Sequence, residues 1–322
     1  MIEVQSRHNP ALRHLARLGR ERKYRRSTGE MLCEGEKMLR EALSSGAQIQ
    51  TLLVRAGREA ELSTLLGQAA ASGAALYTAP DALFALASEV ETPQSVVFSC
   101  RQPVWTAQAL NGRQQVLLLD GLQDPGNLGT FLRTAVSFAL GAVVLCEGCA
   151  DPFSPKVVRS TMGAVFRLPC VQLPLEQAAA QLRQMGLPLY ATALHADSVP
   201  LSSVPLGSAA VIIGSEGRGV SQQALALSDR RIIIPMHGRA ESLNAGVAAA
   251  IVIYEMTKEG GGHDAVTFEL CMAGTEEWFG RGHCGRAAAG VRFAGGRICR
   301  RPGSADRVGL PAAQGTGGYA LR

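Results

Sequence analysis

From Glu30 onward, short apolar runs rich in Val, Ile and Leu alternate with segments of helical period, and the alternation continues to Glu255. A chain patterned this way folds as α/β layers, with its ligands gathered at a sheet edge. The alternation divides into two modules. In the first, EMLCEG, IQTLLVR, ALYTA and SVVFS read as strands, with helices over Glu36–Leu43 and Arg58–Ala71 and a short one after Asp81. Arg101–Arg113 is polar, holds Pro103 and reads as a linker. The second module opens with a strand over Gln115–Asp120. It continues through a helix over Gln177–Met185 and strands over Pro188–Ala193 and Ala209–Ile213. In its last unit, Ile232–Ile234 reads as a buried strand ended by Pro235. Ser242 then serves as N-cap of a helix carrying Ala248, Ile251, Val252 and Tyr254.

At 322 residues the chain has room for more than one domain and a sizeable core. No apolar run is long enough to cross a bilayer, and the amino end lacks a signal peptide's apolar core, so no membrane contact and a cytoplasmic location are expected. The eight cysteines show no disulfide spacing. The CxxC at Cys146–Cys149 has neither a second CxxC nor a flanking His pair, so buried, reduced thiols and no metal are expected. Aromatic residues make up only 5%, which disfavours recognition by stacking on many exposed bases.

Net charge is only +5, but its distribution is uneven. Arg7, Arg13, Arg17, Arg20, Arg22, Lys23, Arg25 and Arg26 stand against Glu3 and Glu21 at the amino end, while Leu12, Leu15 and Leu18 fall at helical spacing. A short helix presenting these charges to phosphates follows, with Arg22, Lys23, Arg25 and Arg26 as candidate contacts. Lys156 and Arg159, three apart in DPFSPKVVRSTMGAVFRLP, form a second candidate pair on one helix face.

Two glycine-bearing turns follow strands of the second module. In GLQDPGNLGTFLRTAVSFAL, Gly126 and Gly129 permit a close backbone approach, and Arg133 lies far enough forward on the helix to share an edge with Asn127. The dinucleotide spacing GxGxxG is absent, and Glu147 at the end of the next strand is weak evidence for a ribose-binding acid. The second turn, Gly214-Ser215-Glu216-Gly217-Arg218-Gly219, is a tight loop with Ser221 starting a helix behind it.

Three stretches together, DPGNLGTFLRTA, IIGSEGRGVS and IPMHGRAESLNAGVA, resemble the signature motifs of the SpoU family of RNA ribose 2′-O-methyltransferases in the SPOUT superfamily. SPKVVRSTMGAVFRLP resembles the segment between the first two. NPALRHL, EGEKMLREAL and ETPQSVV are similar, more loosely, to an L30e-like substrate-binding domain. The resemblance implies an L30e-like domain over residues 1–100, a linker over 101–113, and a trefoil-knotted methyltransferase domain over 114–259. It implies S-adenosylmethionine as cofactor, a homodimer, and an RNA substrate. It places Gly214, Gly219, Ile234, Met236, Gly238 and Leu243 at the cofactor, and Asn127, Arg133, Glu216, Ser242 and Asn244 at the reaction. Arginine stays protonated, so Arg133 acts either as an unusual base or as an electrostatic anchor. The departure Ala245-Gly246 after Asn244 is expected to leave the site intact. An added domain with a basic end suits 23S ribosomal RNA; transfer RNA and a non-catalytic RNA-binding or ribosome-assembly role are the alternatives. Residues 260–322, rich in Gly, Ala and Arg, hold no periodicity and read as disordered, and His263, Cys271, His283 and Cys284 lack zinc spacing.

Overall fold

Two sheets organise the computed structural model, which describes residues 1–236 and 243–258. The first contains β1 (Ile2–Glu3), β2 (Glu30–Glu34), β3 (Ile49–Arg55), β4 (Ala75–Ala79) and β5 (Val96–Arg101), in the order β1-β4-β3-β5-β2. Here β5 runs antiparallel to both of its neighbours. Around this sheet lie α1 (Pro10–Arg20), α2 (Arg22–Thr28), α3 (Glu36–Ser44), α4 (Ser63–Ala71) and α5 (Asp81–Phe84). Asn9 caps α1 by accepting from the Ala11 and Leu12 N–H groups, and Leu12, Leu15 and Leu18 turn its apolar stripe inward. The helix expected from Arg58 begins only at Ser63. The Ser63 N–H bonds back to the Ala60 carbonyl, three residues away, so the chain ahead of it is a tightened turn.

The second sheet is wholly parallel. Its strands are β6 (Gln115–Asp120), β7 (Ala142–Leu145), β8 (Cys170–Gln172), β9 (Leu189–Thr192), β10 (Val199–Pro200), β11 (Ala209–Gly214) and β12 (Arg230–Ile233), in the order β10-β12-β9-β11-β6-β7-β8. Both faces are covered, so successive residues are buried on opposite sides. Leu117 and Leu119 pack under α6 (Pro125–Ser137) and α10 (Ala245–Thr257). Val116 and Leu118 pack under α8 (Leu175–Gln184) and α9 (Gln222–Leu227). Three sequence expectations shift here. The strand expected over Ile232–Ile234 runs from Arg230 to Ile233, with only Ile232 fully buried, because its pairing with β9 starts at Arg230. The helix expected at Gln177 starts at Leu175, and Asn244, rather than Ser242, caps α10. Ser242 lies outside the described residues, as does the whole 260–322 stretch.

The two sheets share packing through α7 (Pro155–Thr161). Val157 joins the core under α6 and α10, while the next residue, Val158, joins the core of the first sheet beside Met31, Leu39 and Phe98. Arg25 adds a buried ion pair: its guanidinium donates to Asp151 Oδ2 at 2.7 and 3.2 Å and to the Leu18 and Gly19 carbonyls. Arg167 pairs with Glu41 across the same junction. The stretch read as a linker is itself anchored, since Gln102 Nε2 donates to the Arg25 and Glu30 carbonyls and Gln181 Nε2 to the Ala107 carbonyl.

Candidate active site

Parallel strands deliver all their carboxyl ends to one edge, and the candidate residues of the second module collect there. After β11 the chain makes a tight loop: the Ser215 N–H donates to the Gly219 carbonyl at 3.0 Å and the Gly219 N–H to the Ser215 carbonyl at 2.8 Å. Gly219 holds φ at +66°, a left-handed conformation that favours glycine. Gly214 is needed for a different reason. A Cβ on it would lie 2.0 Å from the Gly219 carbonyl carbon, so the loop closes onto bare backbone. Behind the loop, the Ser221 N–H donates to Asp120 Oδ2 at the end of β6 at 2.7 Å, and Ser221 Oγ caps α9 by accepting from the Ala224 N–H.

Glu216 projects from this loop and accepts from Asn127 Nδ2 at 2.6 Å. Asn127 sits in the first turn of α6, where Asp124 caps the helix by accepting from the Asn127 N–H at 2.7 Å. The start of α10 approaches the same point. Asn244 Oδ1 accepts from the Gly246 and Val247 N–H groups, and a Cβ on Gly246 would lie 3.3 Å from Thr130 Cγ2 and 3.6 Å from Asn127 Oδ1. Gly246 is therefore a packing residue between two helix starts, a role its helix propensity does not reveal. Two helix N-termini and one carboxylate converge, a polar rim able to orient a hydroxyl or a phosphate.

Beside this rim lies a largely apolar cleft of about 290 Å³, walled by Ile213, Ile232, Ile234, Leu243 and Val252 together with the Gly214 backbone. Its size is at the small end of ligand clefts, roughly 300–1,000 Å³. Of the residues expected at a cofactor, Gly214, Gly219, Ile234, Met236 and Leu243 all line it, and Gly238 lies outside the described residues. Of those expected at the reaction, Glu216 lines it, Asn127 is bonded to Glu216, and Asn244 opens the adjoining helix. Arg133 does not line it. The residue is exposed on α6, six positions past Asn127, and no carboxylate among the described residues pairs with it. Sequence reasoning missed the wall supplied by Thr192, Ala193 and Leu194, because only strand order places the end of β9 beside β11.

The basic candidates divide by exposure. Lys156 and Arg159 are exposed on α7, and Arg22, Lys23 and Arg26 are exposed on α2. Arg25 is a correction: it is 5% exposed and bound to Asp151, so it holds the modules together and presents no charge to a phosphate. Burial pushes the Cys146 thiol well up, the Cys149 thiol up and the Cys170 thiol up to about 12, so this cluster supplies no reactive thiolate near neutral pH. Among the described residues no group of three His, Cys, Asp or Glu side chains is placed to hold a metal ion.

Comparison with known proteins locates this geometry. The SpoU rRNA Methylase family matches residues 114–254, and the MRM3-like substrate binding domain matches residues 9–97. The 23S rRNA (guanosine(2553)-2′-O)-methyltransferase RlmP of Bacillus subtilis is 36% identical over 257 residues, covering 80% of this chain and 99% of its own. Among solved structures, an AdoMet-bound rRNA methyltransferase from Sinorhizobium meliloti superposes with a TM-score of 0.72 at 28% identity, over 80% of this chain and 97% of its own. The SpoU methyltransferase AviRb from Streptomyces viridochromogenes, in complex with AdoMet, gives 0.69 at 28% identity over 78% of this chain and 98% of its own.

Proposed function

The chain belongs to the SpoU rRNA methylase family, and from that premise we propose that it methylates a ribose 2′-hydroxyl of 23S ribosomal RNA with S-adenosylmethionine as donor. The observation that carries the reading is the apolar cleft at the ends of β9, β11 and β12, closed by a Gly214–Gly219 contact and rimmed by Asn127 and Glu216. Its residues fit the donor. Apolar walls and exposed loop backbone suit an adenosyl group, and the bare Gly214 lets the Gly219 backbone close the loop directly against the end of β11. When bound, S-adenosylmethionine supplies an electrophilic methyl group on a cationic sulfur.

The chain's own residues supply position and charge. A 2′-hydroxyl is a weak nucleophile near neutral pH and must be oriented while its proton leaves. In this reading Asn127, bonded to Glu216 and at the capped start of α6, orients the ribose; Asn244 holds the start of α10 beside it, and Ser242 is assigned to the same rim by the family resemblance. Arg133 pairs with no carboxylate among the described residues, and a guanidinium is a poor proton acceptor. We assign it the role of electrostatic anchor, holding a phosphate of the target and favouring the deprotonated oxygen. Lys156 and Arg159 on α7 and Arg22, Lys23 and Arg26 on α2 then track the RNA backbone, the first sheet serving as substrate-binding module over residues 1–100 and the second as methyltransferase module over 114–259. The reading includes the knotted threading implied by the family resemblance, a cytoplasmic location with the RNA, and a homodimer formed on the α6–α10 face.

The test compares the purified protein and Arg133→Ala on unmodified ribosomal and transfer RNA with isotopically labelled S-adenosylmethionine. Mass spectrometry of nuclease digests is expected to place label on a 2′-oxygen of 23S RNA, lost in the variant, with cofactor affinity within about twofold of the parent. Label on transfer RNA would replace the substrate. Loss of cofactor binding in Arg133→Ala would remove its assigned role.

A further inference from the structure

A second cleft, also about 290 Å³, opens on the same edge of the parallel sheet, where β7 and β8 end and α2 leans over them. At roughly 4.8 Å per strand, it lies about 10–15 Å along the edge from the end of β11. Arg22 and Arg26, one helical turn apart, line it from α2, and Glu147 and Gln172 line it from the ends of β7 and β8. The ionised groups do not neutralise one another. No ion pair joins Glu147 to either arginine, Arg26 has no side-chain partner among the described residues, and Arg22 comes only within 4.0 Å of Asp151. Glu147 Oε2 accepts from the Leu175 N–H at 3.2 Å, which explains one oxygen of the carboxylate and leaves the other. Their helix is held in place: Arg25, between them on α2, pairs with Asp151, the residue that directly follows the 146–150 stretch lining the cleft.

We propose that this cleft binds a single unpaired guanosine nucleotide of the RNA, close to the methylated one, and so determines where the enzyme acts. The inference rests on the RNA reading above. A cleft lined by two cations from one element and a carboxylate from another, with no ion pair between them, disfavours a simple anion, since the carboxylate repels it. It accepts a group that is negative at one end and a hydrogen-bond donor at the other. A nucleotide has that polarity: its phosphate meets Arg22 and Arg26, and its base edge meets Glu147. Guanine alone among the four bases presents two adjacent donors, N1–H and the exocyclic amino group, to a carboxylate. Adenine and cytosine each place a ring acceptor beside their amino group, and uracil flanks its single donor with two carbonyls.

The probe is a set of fluorescent uridine hexamers carrying one central guanosine, adenosine or cytidine, with all-uridine as the fourth, titrated against the full chain. The guanosine hexamer is expected to bind about tenfold more tightly than the other three. Glu147→Gln, which still accepts from the Leu175 N–H, is expected to erase that preference and leave S-adenosylmethionine binding unchanged. Arg26→Ala is expected to weaken all four alike and lower the salt dependence by about one unit of slope. Equal binding of the four RNAs by the parent protein, or a preference that survives Glu147→Gln, overturns the proposal. A guanosine preference in a protein that methylates no RNA would support the cleft and remove the catalytic reading, so the two failures are separable.

Discussion

Gly214 shows how little latitude a single residue can have at this edge. A methyl group there would meet the carbonyl carbon and oxygen of Gly219 and the Val220 nitrogen at 2.0–2.2 Å, all backbone atoms that cannot rotate away. Gly214→Ala is expected to open the Ser215–Gly219 hydrogen bonds, cost about 2–4 kcal/mol, and weaken S-adenosylmethionine binding at least about tenfold by calorimetry. An unchanged affinity would show that the loop is not the cradle. This residue was legible in the sequence, because glycines clustered around Glu216 announce a close approach. Arg25 was not. Four neighbouring cations look alike in the sequence, and only the fold decides that one of them turns inward to Asp151 while Arg22 and Arg26 stay outside. Nor was the distance between Arg133 and the cleft legible, since helix spacing fixes direction around an axis and not what the side chain reaches.

At the scale of elements, the order of strands and helices could be read from periodicity, while their packing could not. Gly129 looked like a place for a ligand to approach; a Cβ there would instead lie 2.3 Å from Ser160 Cβ, so the glycine admits α7 against α6. The cap of α10 was misplaced by two residues because Ser242 and Asn244 are both good cap formers and local preference cannot choose between them. A further consequence belongs to the face that α6 and α10 turn outward. Phe138, Val247 and Tyr254 are 40%, 50% and 52% exposed, and the Phe138 and Tyr254 rings meet edge to face at 5.9 Å. Apolar residues clustered on one surface in this way favour a partner, which supports the homodimer. Light scattering is expected to give twice 33.9 kDa for the parent, falling to 33.9 kDa for Val247→Asp/Tyr254→Asp. A monomeric parent would sink the assignment.

For the molecule as a whole, the consequence of the fold is that the two sheets do not form independent bodies. Val157 and Val158 are consecutive yet serve different cores, Arg25 from α2 reaches Asp151 in the second module, and the chain between the modules is hydrogen-bonded to both. A composition shift at Arg101–Arg113 suggested a tether, but polarity alone does not distinguish a free linker from one hydrogen-bonded to a folded surface, as Gln102 is to the Arg25 and Glu30 carbonyls. A fixed junction sets the distance from α2 and its arginines to the edge where Asn127 and Glu216 meet, so the proposed RNA contacts and the proposed reaction site would keep one geometry. The buried pair is the place to test it. Asp151→Asn keeps an acceptor for the Phe153 N–H but leaves the Arg25 guanidinium without its counter-charge. Removing one partner of a buried pair costs about 3 kcal/mol or more, equivalent to a fall of roughly 6–12 °C in melting temperature for a domain of this size. One cooperative transition is expected in both proteins, displaced downward in the variant. Arg25→Met/Asp151→Asn should recover most of the loss, because it removes the stranded charge together with its partner. Two separate transitions in the parent protein, or an unshifted melt in Asp151→Asn, would mean that the modules fold independently and that the spacing between α2 and the catalytic edge is not fixed by this contact.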